Sequence, residues 1–457
     1  MINRQASPRL VMVGFTLVLL VALVACLARA AGAQQARTDS TIRLSLADAI
    51  RIAARQNATV ESARYRVEEA RARVTQSRAD LLPNVSGESS ERRSTLNSAA
   101  AFPIELPVPG IDPRGTILGP LDVFDARLRG SQTLYDPAAR ARVQGARTSV
   151  QAANADVGNV ADVAATQAAN AYLGILRADA TYRARLQDST LAAELLQIAR
   201  DQLRAGTGVA LDVTRARSQL TGSRAQLIVA RNERDRTRID LARALALPLV
   251  NIVPTDTLTS VSASPTPSES AALDAAYRGR KDLQALALQA QAARQQAQAI
   301  RKERLPTVGL MGDYGLSQRN GRSYLPTYDI GVGLSVPVFD GLRREGRVQE
   351  QEAVAHELES RERDLRTQVE ADVRTALLNL ASSAEAVAAA RERLSLAEQE
   401  VAQARERFQA GVSGNADVIT ASLTLNSART QLVDALTSYE ASRVALARAQ
   451  GTITTLD

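Results

Sequence analysis

The stretches "AGTGVALDV" (205–213) and "AGVSGNADV" (410–418) lie 205 residues apart, and both begin Ala-Gly and end Asp-Val. Each is flanked by long tracts without proline in which apolar residues return at helical spacing. Glycine and small residues between two such tracts reverse the chain. Each stretch therefore reads as the tip of an antiparallel helical hairpin. The correspondence runs past the turns. Leu203 matches Phe408, Gly206 matches Gly411, Asp212 matches Asp417, and "LARALA" from 241 matches "LARAQG" from 446. The chain is an internal duplication.

Working outward from the tips, the first unit covers 34–248, with a helix over 44–82 ending before Pro83, and hairpin helices over 137–206 and 211–247. A Pro/Ser/Thr-rich linker occupies 249–270. The second unit covers 271–457, with a helix over 271–304 and hairpin helices over 342–410 and 416–450. Val373, Leu380, Val387, Leu394, Val401 and Phe408 recur every seven residues. That period calls for left-handed coiled-coil packing, and the alanines between allow close approach.

Each unit interrupts its helices with a different pattern. In 308–316 the residues Val308, Leu310, Tyr314 and Leu316 alternate with small or polar ones, and in 328–338 so do Tyr328, Ile330, Val332, Leu334, Val336 and Val338. These runs have the length of tilted membrane-spanning strands. The first unit answers with 124–134, which alternates through Phe124, Ala126, Leu128 and Leu134, and with 84–96, which is polar on both faces. Seven of the 14 aromatics fall within 82–136 and 305–340, as an interfacial girdle would have them. Two soluble hairpins packed on helices are the competing reading of pattern alone. Four strands cannot close a barrel, and lipid does not tolerate open edges. If the strands span a membrane, several chains share one barrel.

Residues 1–33 read as a secretory leader: Arg4 and Arg9 precede "LVMVGFTLVLLVALVA", and Ala31-Gly32-Ala33 offers a cleavage site. "LVAC" (23–26) offers a second, at which Cys26, the only cysteine, would be lipidated; both stay open. Because 1–33 hold three Arg and no acid, the charge falls from +7 to +4 on cleavage after Ala33. Acids and bases interleave without a basic, aromatic-studded patch, which argues against nucleic acid as partner.

Catalysis finds no footing. His356 is the single histidine and sits in a charged helical stretch. A Ser-His-Asp or Cys-His site, HExxH, CxxC, P-loop and dinucleotide fingerprint are all missing, so no enzymatic role, metal or cofactor is expected.

The whole pattern resembles the TolC-like outer membrane efflux protein family, over nearly the full chain from "LSLADAIRIAARQN" to "ALARAQG". "RFQAGVSGNADVITASLTLNSARTQLVDALTSYEASRVALARAQG" resembles the family's tip and final helix; "LPNV" (82–85) and "LPTV" (305–308) resemble its strand entries, "QTLYD" (132–136) and "VPVFD" (336–340) its exits. The resemblance implies a mainly α fold with a β-barrel part: duplicated helix–strand–strand–helix–helix units, a long coiled-coil α-barrel, and four strands per chain of one 12-stranded barrel shared by a homotrimer in outer-membrane lipid. It implies an exit duct of a tripartite efflux or type I secretion system, with a long periplasmic extension. A periplasmic adaptor and an inner-membrane transporter would open it at its tips. An exported coiled-coil protein without channel activity is the alternative.

By the same resemblance Asp417, with Asp212 as its repeat counterpart, would narrow the tunnel mouth. As plain helix residues both would serve the dipole of a first turn. Ala205, Gly206, Gly208, Ala410, Gly411 and Gly414 would belong to the turns and the adaptor-docking surface. Two departures stand out. Thr420 replaces a second acid, and Phe408 and Ser413 occupy the positions of a Tyr and Arg that lock the closed state in some members. Arg215, near Asp212, is the candidate substitute.

Overall fold

The computed structural model describes residues 41–97, 117–248, 251–258 and 267–456. The leader, Cys26, and much of the 249–270 linker lie outside them. In chain order the elements are β1 (Thr41–Leu44), α1 (Leu46–Gln56), α2 (Ala58–Ala79), β2 (Asn84–Asn97), β3 (Ile117–Tyr135), α3 (Pro137–Arg204), α4 (Ala210–Ala244), β4 (Asn251–Pro254), α5 (Glu269–Gly279), α6 (Lys281–Lys302), β5 (Thr307–Arg319), β6 (Leu325–Ser335), α7 (Arg343–Gln409) and α8 (Asn415–Gln450). Two compact units arise from interleaved parts of the chain.

The first unit takes its residues from the described part of 1–49, from 168–260 and from 389–437. Its core is alanine-rich. Leu195 and Leu196 of α3, Leu220 of α4, Val401 and Phe408 of α7, and Val418 and Leu425 of α8 interlock, with Ala199, Ala216, Ala397, Ala404, Ala421 and Ala428 between them. The heptad positions of α7 are the ones that turn inward. A small parallel pair, β1 with β4, joins this unit. It is held by Tyr172, which is fully buried and donates its hydroxyl to Leu44 O at 2.9 Å and to Asp256 Oδ2 at 2.8 Å. The same carboxylate accepts from Leu46 N at 2.8 Å, so it also caps α1.

The second unit takes 50–167, 261–388 and 438–457. Here β2, β3, β5 and β6 form an antiparallel sheet in the order β2-β3-β5-β6. The outer edges of β2 and β6 are unpaired among the described residues. At the α5–α6 joint Gly279 touches the end of α8 so closely that a Cβ there would meet Gln450 O at 2.6 Å. Arg280 follows, buried, and pairs with Asp282 at 2.6 Å and Asp372 at 2.9 Å.

The structure differs from the sequence reading in the starts of β3 and β6, at Ile117 and Leu325, and in four further places. The single helix expected over 44–82 is β1 and two helices, because Asn57 leaves the helical region and accepts Thr59 N at 2.9 Å as a cap. The helix expected over 271–304 breaks at Arg280, whose ψ is 118° and whose side chain does not cap the helix that follows. The linker 249–270 contains β4, too short to show a period. The strand expected to end at Val338 ends at Ser335, because its neighbour β5 begins opposite, at Thr307, just after Pro306, which has no N–H to give.

Candidate functional site

The sheet has two unlike faces, and the register shows how they arise. On one face Leu128 lies beside Tyr314, Tyr314 beside Tyr328, Leu310 beside Val332 and Val308 beside Leu334. Almost all of these are exposed; Tyr328 and Ile330 are 76% and 75% accessible. On the other face Arg127 is clamped by Asp125 at 2.7 Å and Asp313 at 2.6 Å, and Arg129 meets Glu88 at 2.6 Å. Asp329 lies opposite Asp313 on that charged face. Water would drive the apolar face into a core, yet nothing among the described residues covers it. A sheet apolar outward and charged inward is the pattern of a membrane barrel wall. The polar strand 84–96 fits once paired: Glu88, on β2, answers an arginine of β3.

The tips repeat to the level of single hydrogen bonds. Gly206 N donates to Leu203 O and Gly411 N to Phe408 O, both at 3.1 Å; Thr207 N donates to Gln202 O and Val412 N to Arg407 O, both at 3.0 Å. Gly206 and Gly411 have φ of 74° and 71°, the left-handed conformation that ends a helix. Gly208 has a different reason: a Cβ would meet Gln202 Cβ at 2.9 Å. Gly414 has neither constraint. Ala205, Gly206, Ala410, Gly411 and Gly414 are exposed, with Val209, Leu211 and Val412 presenting apolar side chains beside them.

Two side-chain amides tie the hairpins together. Gln202 Nε2 donates to Phe408 O at 2.7 Å, and Asn415 Nδ2 donates to Asp212 O at 2.9 Å. Asn415 is fully buried, and Phe408 is sealed in the core beneath the tip. Asp212 is half-buried, and its contact with Arg215, at 4.0 Å, stays within α4. Arg215 therefore ties no second hairpin among the described residues. Asp417 is exposed and has no ion pair among them. The sequence reading sought a charged lock and so passed over Gln202 and Asn415. Their partners are backbone carbonyls some 200 residues away, which leave no trace in local pattern.

A family profile described as outer membrane efflux protein matches residues 49–247 and 272–452. The chain belongs to the outer membrane efflux protein family. Both matched segments carry one hairpin tip and one strand pair, so the family's duplication and this fold coincide. Among solved structures the chain is similar to VceC, an outer membrane protein of Vibrio cholerae, with a TM-score of 0.71 and 20% identity over 89% of this chain and 96% of that one. It is similar to the CmeC outer membrane channel of Campylobacter jejuni, with a TM-score of 0.74 and 17% identity over 90% and 87%. It is similar to the MtrE outer membrane channel of Neisseria gonorrhoeae in its open state, with a TM-score of 0.67 and 18% identity over 89% and 88%. Nothing matches among curated protein sequences. The family places the chain in the outer membrane. No helix of the described residues is long and apolar enough to cross a membrane.

Proposed function

We propose that three copies of this chain build one exit duct, each giving four strands to a twelve-stranded barrel. The observation that carries this is the two-faced sheet whose outer edges, at β2 and β6, pair with no strand among the described residues. Lipid leaves no backbone donor or acceptor unsatisfied, so these edges pair with further copies. The two edges are different strands, so copies join head to tail and close into a ring.

The hairpin tips form the periplasmic mouth of this duct. Asp212 and Asp417 put carboxylates there, and the exposed segments 205–212 and 410–417 receive a periplasmic adaptor. That adaptor, with an inner-membrane transporter, opens a passive channel through which cargo leaves the cell. Support comes from the family membership and from tips whose apolar residues are exposed among the described residues.

The test is fractionation of native membranes, mass determination of the detergent-extracted particle, and conductance in planar bilayers. A trimer that conducts after tip opening supports the duct. A monomer in the soluble periplasmic fraction sinks it.

A further inference from the structure

Among the charges that make no ion pair within the described residues, six on α4 and α7 have a regular spacing. Arg217, Arg224 and Arg231 recur every seven residues along α4. Glu385, Glu392 and Glu406 hold the same spacing along α7, with Gln399 filling the remaining place. All six charged side chains are exposed, and none makes an ion pair among the described residues. Five of the six have nothing on their own helix: Arg217 and Arg224 have no acid three or four residues away, and Glu385, Glu392 and Glu406 have no base there; Asp235, four residues after Arg231, is held by Arg234 and Arg238. Most other arginines on these helices are less isolated. Arg238, the next in the α4 series, is taken by Asp179 and Asp235.

The two rows lie at matching heights. The cross-tip bonds Gln202–Phe408 and Asn415–Asp212 set the start of α4 level with the end of α7. Arg217, Arg224 and Arg231 stand 7, 14 and 21 residues from Ala210. At the rise of an α-helix this is about 10, 21 and 32 Å from the tip. Glu406 and Glu392 stand 3 and 17 residues from Gln409. That is about 4 and 26 Å from the tip. The acids therefore interleave with the bases.

We infer that these rows join neighbouring copies: the arginine row on α4 of one copy seats against the glutamate row on α7 of the next. Opposite charge at heptad spacing is how paired helices choose partner and register. The interface is head to tail, like the edges of the sheet, and so it closes the same ring. A docked adaptor is the weaker occupant, since the rows run well up the helices from the exposed turns. The inference rests on the shared-barrel reading and adds to it what sets the alignment of the copies.

Charge reversal tests it. The variants are Arg217→Glu/Arg224→Glu/Arg231→Glu, Glu392→Arg/Glu406→Arg, and all five changes in one chain. The readout is the mass of the extracted particle during dilution and heating, at low and high salt, with helix content checked by circular dichroism. Each partial reversal should weaken assembly by about tenfold or more, and the combined variant should return to within about threefold of wild type. Salt should narrow these differences. Partial reversals that assemble like wild type overturn the inference, and so does a combined variant no better than either part. A wild-type chain extracted as a monomer is a different failure, that of the shared barrel itself.

Discussion

Removing the two cross-tip amides should open the mouth. In Gln202→Ala the bond to Phe408 O is lost, while the carbonyl of Gln202 keeps its turn bonds from Thr207 and Gly208. A neutral hydrogen bond contributes about 1 kcal/mol. Asn415→Ala loses the bond to Asp212 O but also removes Oδ1, which is buried with no hydrogen-bond partner among the described residues, so part of the cost is offset. Together the two changes should destabilise the tied arrangement of the tips by about 1.5 kcal/mol, or about a tenfold rise in the untied-to-tied ratio. Gln197→Ala is the control, because that amide bonds Asp201 on its own helix at 3.0 Å. The assay is the fraction of time spent at high conductance by single channels in a planar bilayer. If the double variant assembles normally and opens no more than the control, the amides do not hold the mouth shut.

Three further outcomes follow from the geometry. Ile330→Arg should abolish outer-membrane assembly at a cost of about 2–4 kcal/mol, whereas Asp329→Arg, one residue away on the charged face, should still insert; heat-modifiability on gels separates the two. Tyr172→Phe should lower stability by about 1–2 kcal/mol, seen as faster hydrogen exchange in β1 and β4, since Leu44 O keeps Thr255 and Asp256 keeps Leu46. At the α5–α6 joint, burial would raise the carboxyl of Asp282, but the hydrogen bonds and charge of Arg280 outweigh it and hold it below its ordinary 3.8. A depressed carboxylate stabilises the fold above that unfolded value, and the contribution is lost as pH falls through the folded one. Protection against hydrogen exchange at the start of α6, corrected for the intrinsic pH dependence of exchange, should therefore fall below about pH 4, and in Asp282→Asn it should already be lowered at neutral pH and change little on acidification.

Local order was legible in the residues themselves. A turn such as 205–213 announces itself through glycines whose backbone few other residues can adopt, and Gly206 and Gly411 have that backbone. The seven-residue repeat of α7 is a statement about one helix face, and Val373, Val387 and Phe408 are buried as that repeat requires. The alternation in 308–316 likewise belongs to a single strand. The helix breaks at Asn57 and Arg280 were less visible, since a one-residue departure hardly disturbs a helical pattern.

The tertiary structure alone decided what depends on residues distant in sequence meeting in space. It assigned Glu88 to the charged face of the wall by pairing β2 with β3, where the sequence of 84–96 is polar on both sides. It showed ties between the hairpins at Gln202 and Asn415, whose partners are backbone carbonyls of another hairpin. It also set α4 and α7 level at their tips, and only then did two rows of unpaired charge become complementary in height. Composition and period are properties of one segment; register, burial and the direction of a side chain are properties of two, and the second partner is chosen by packing.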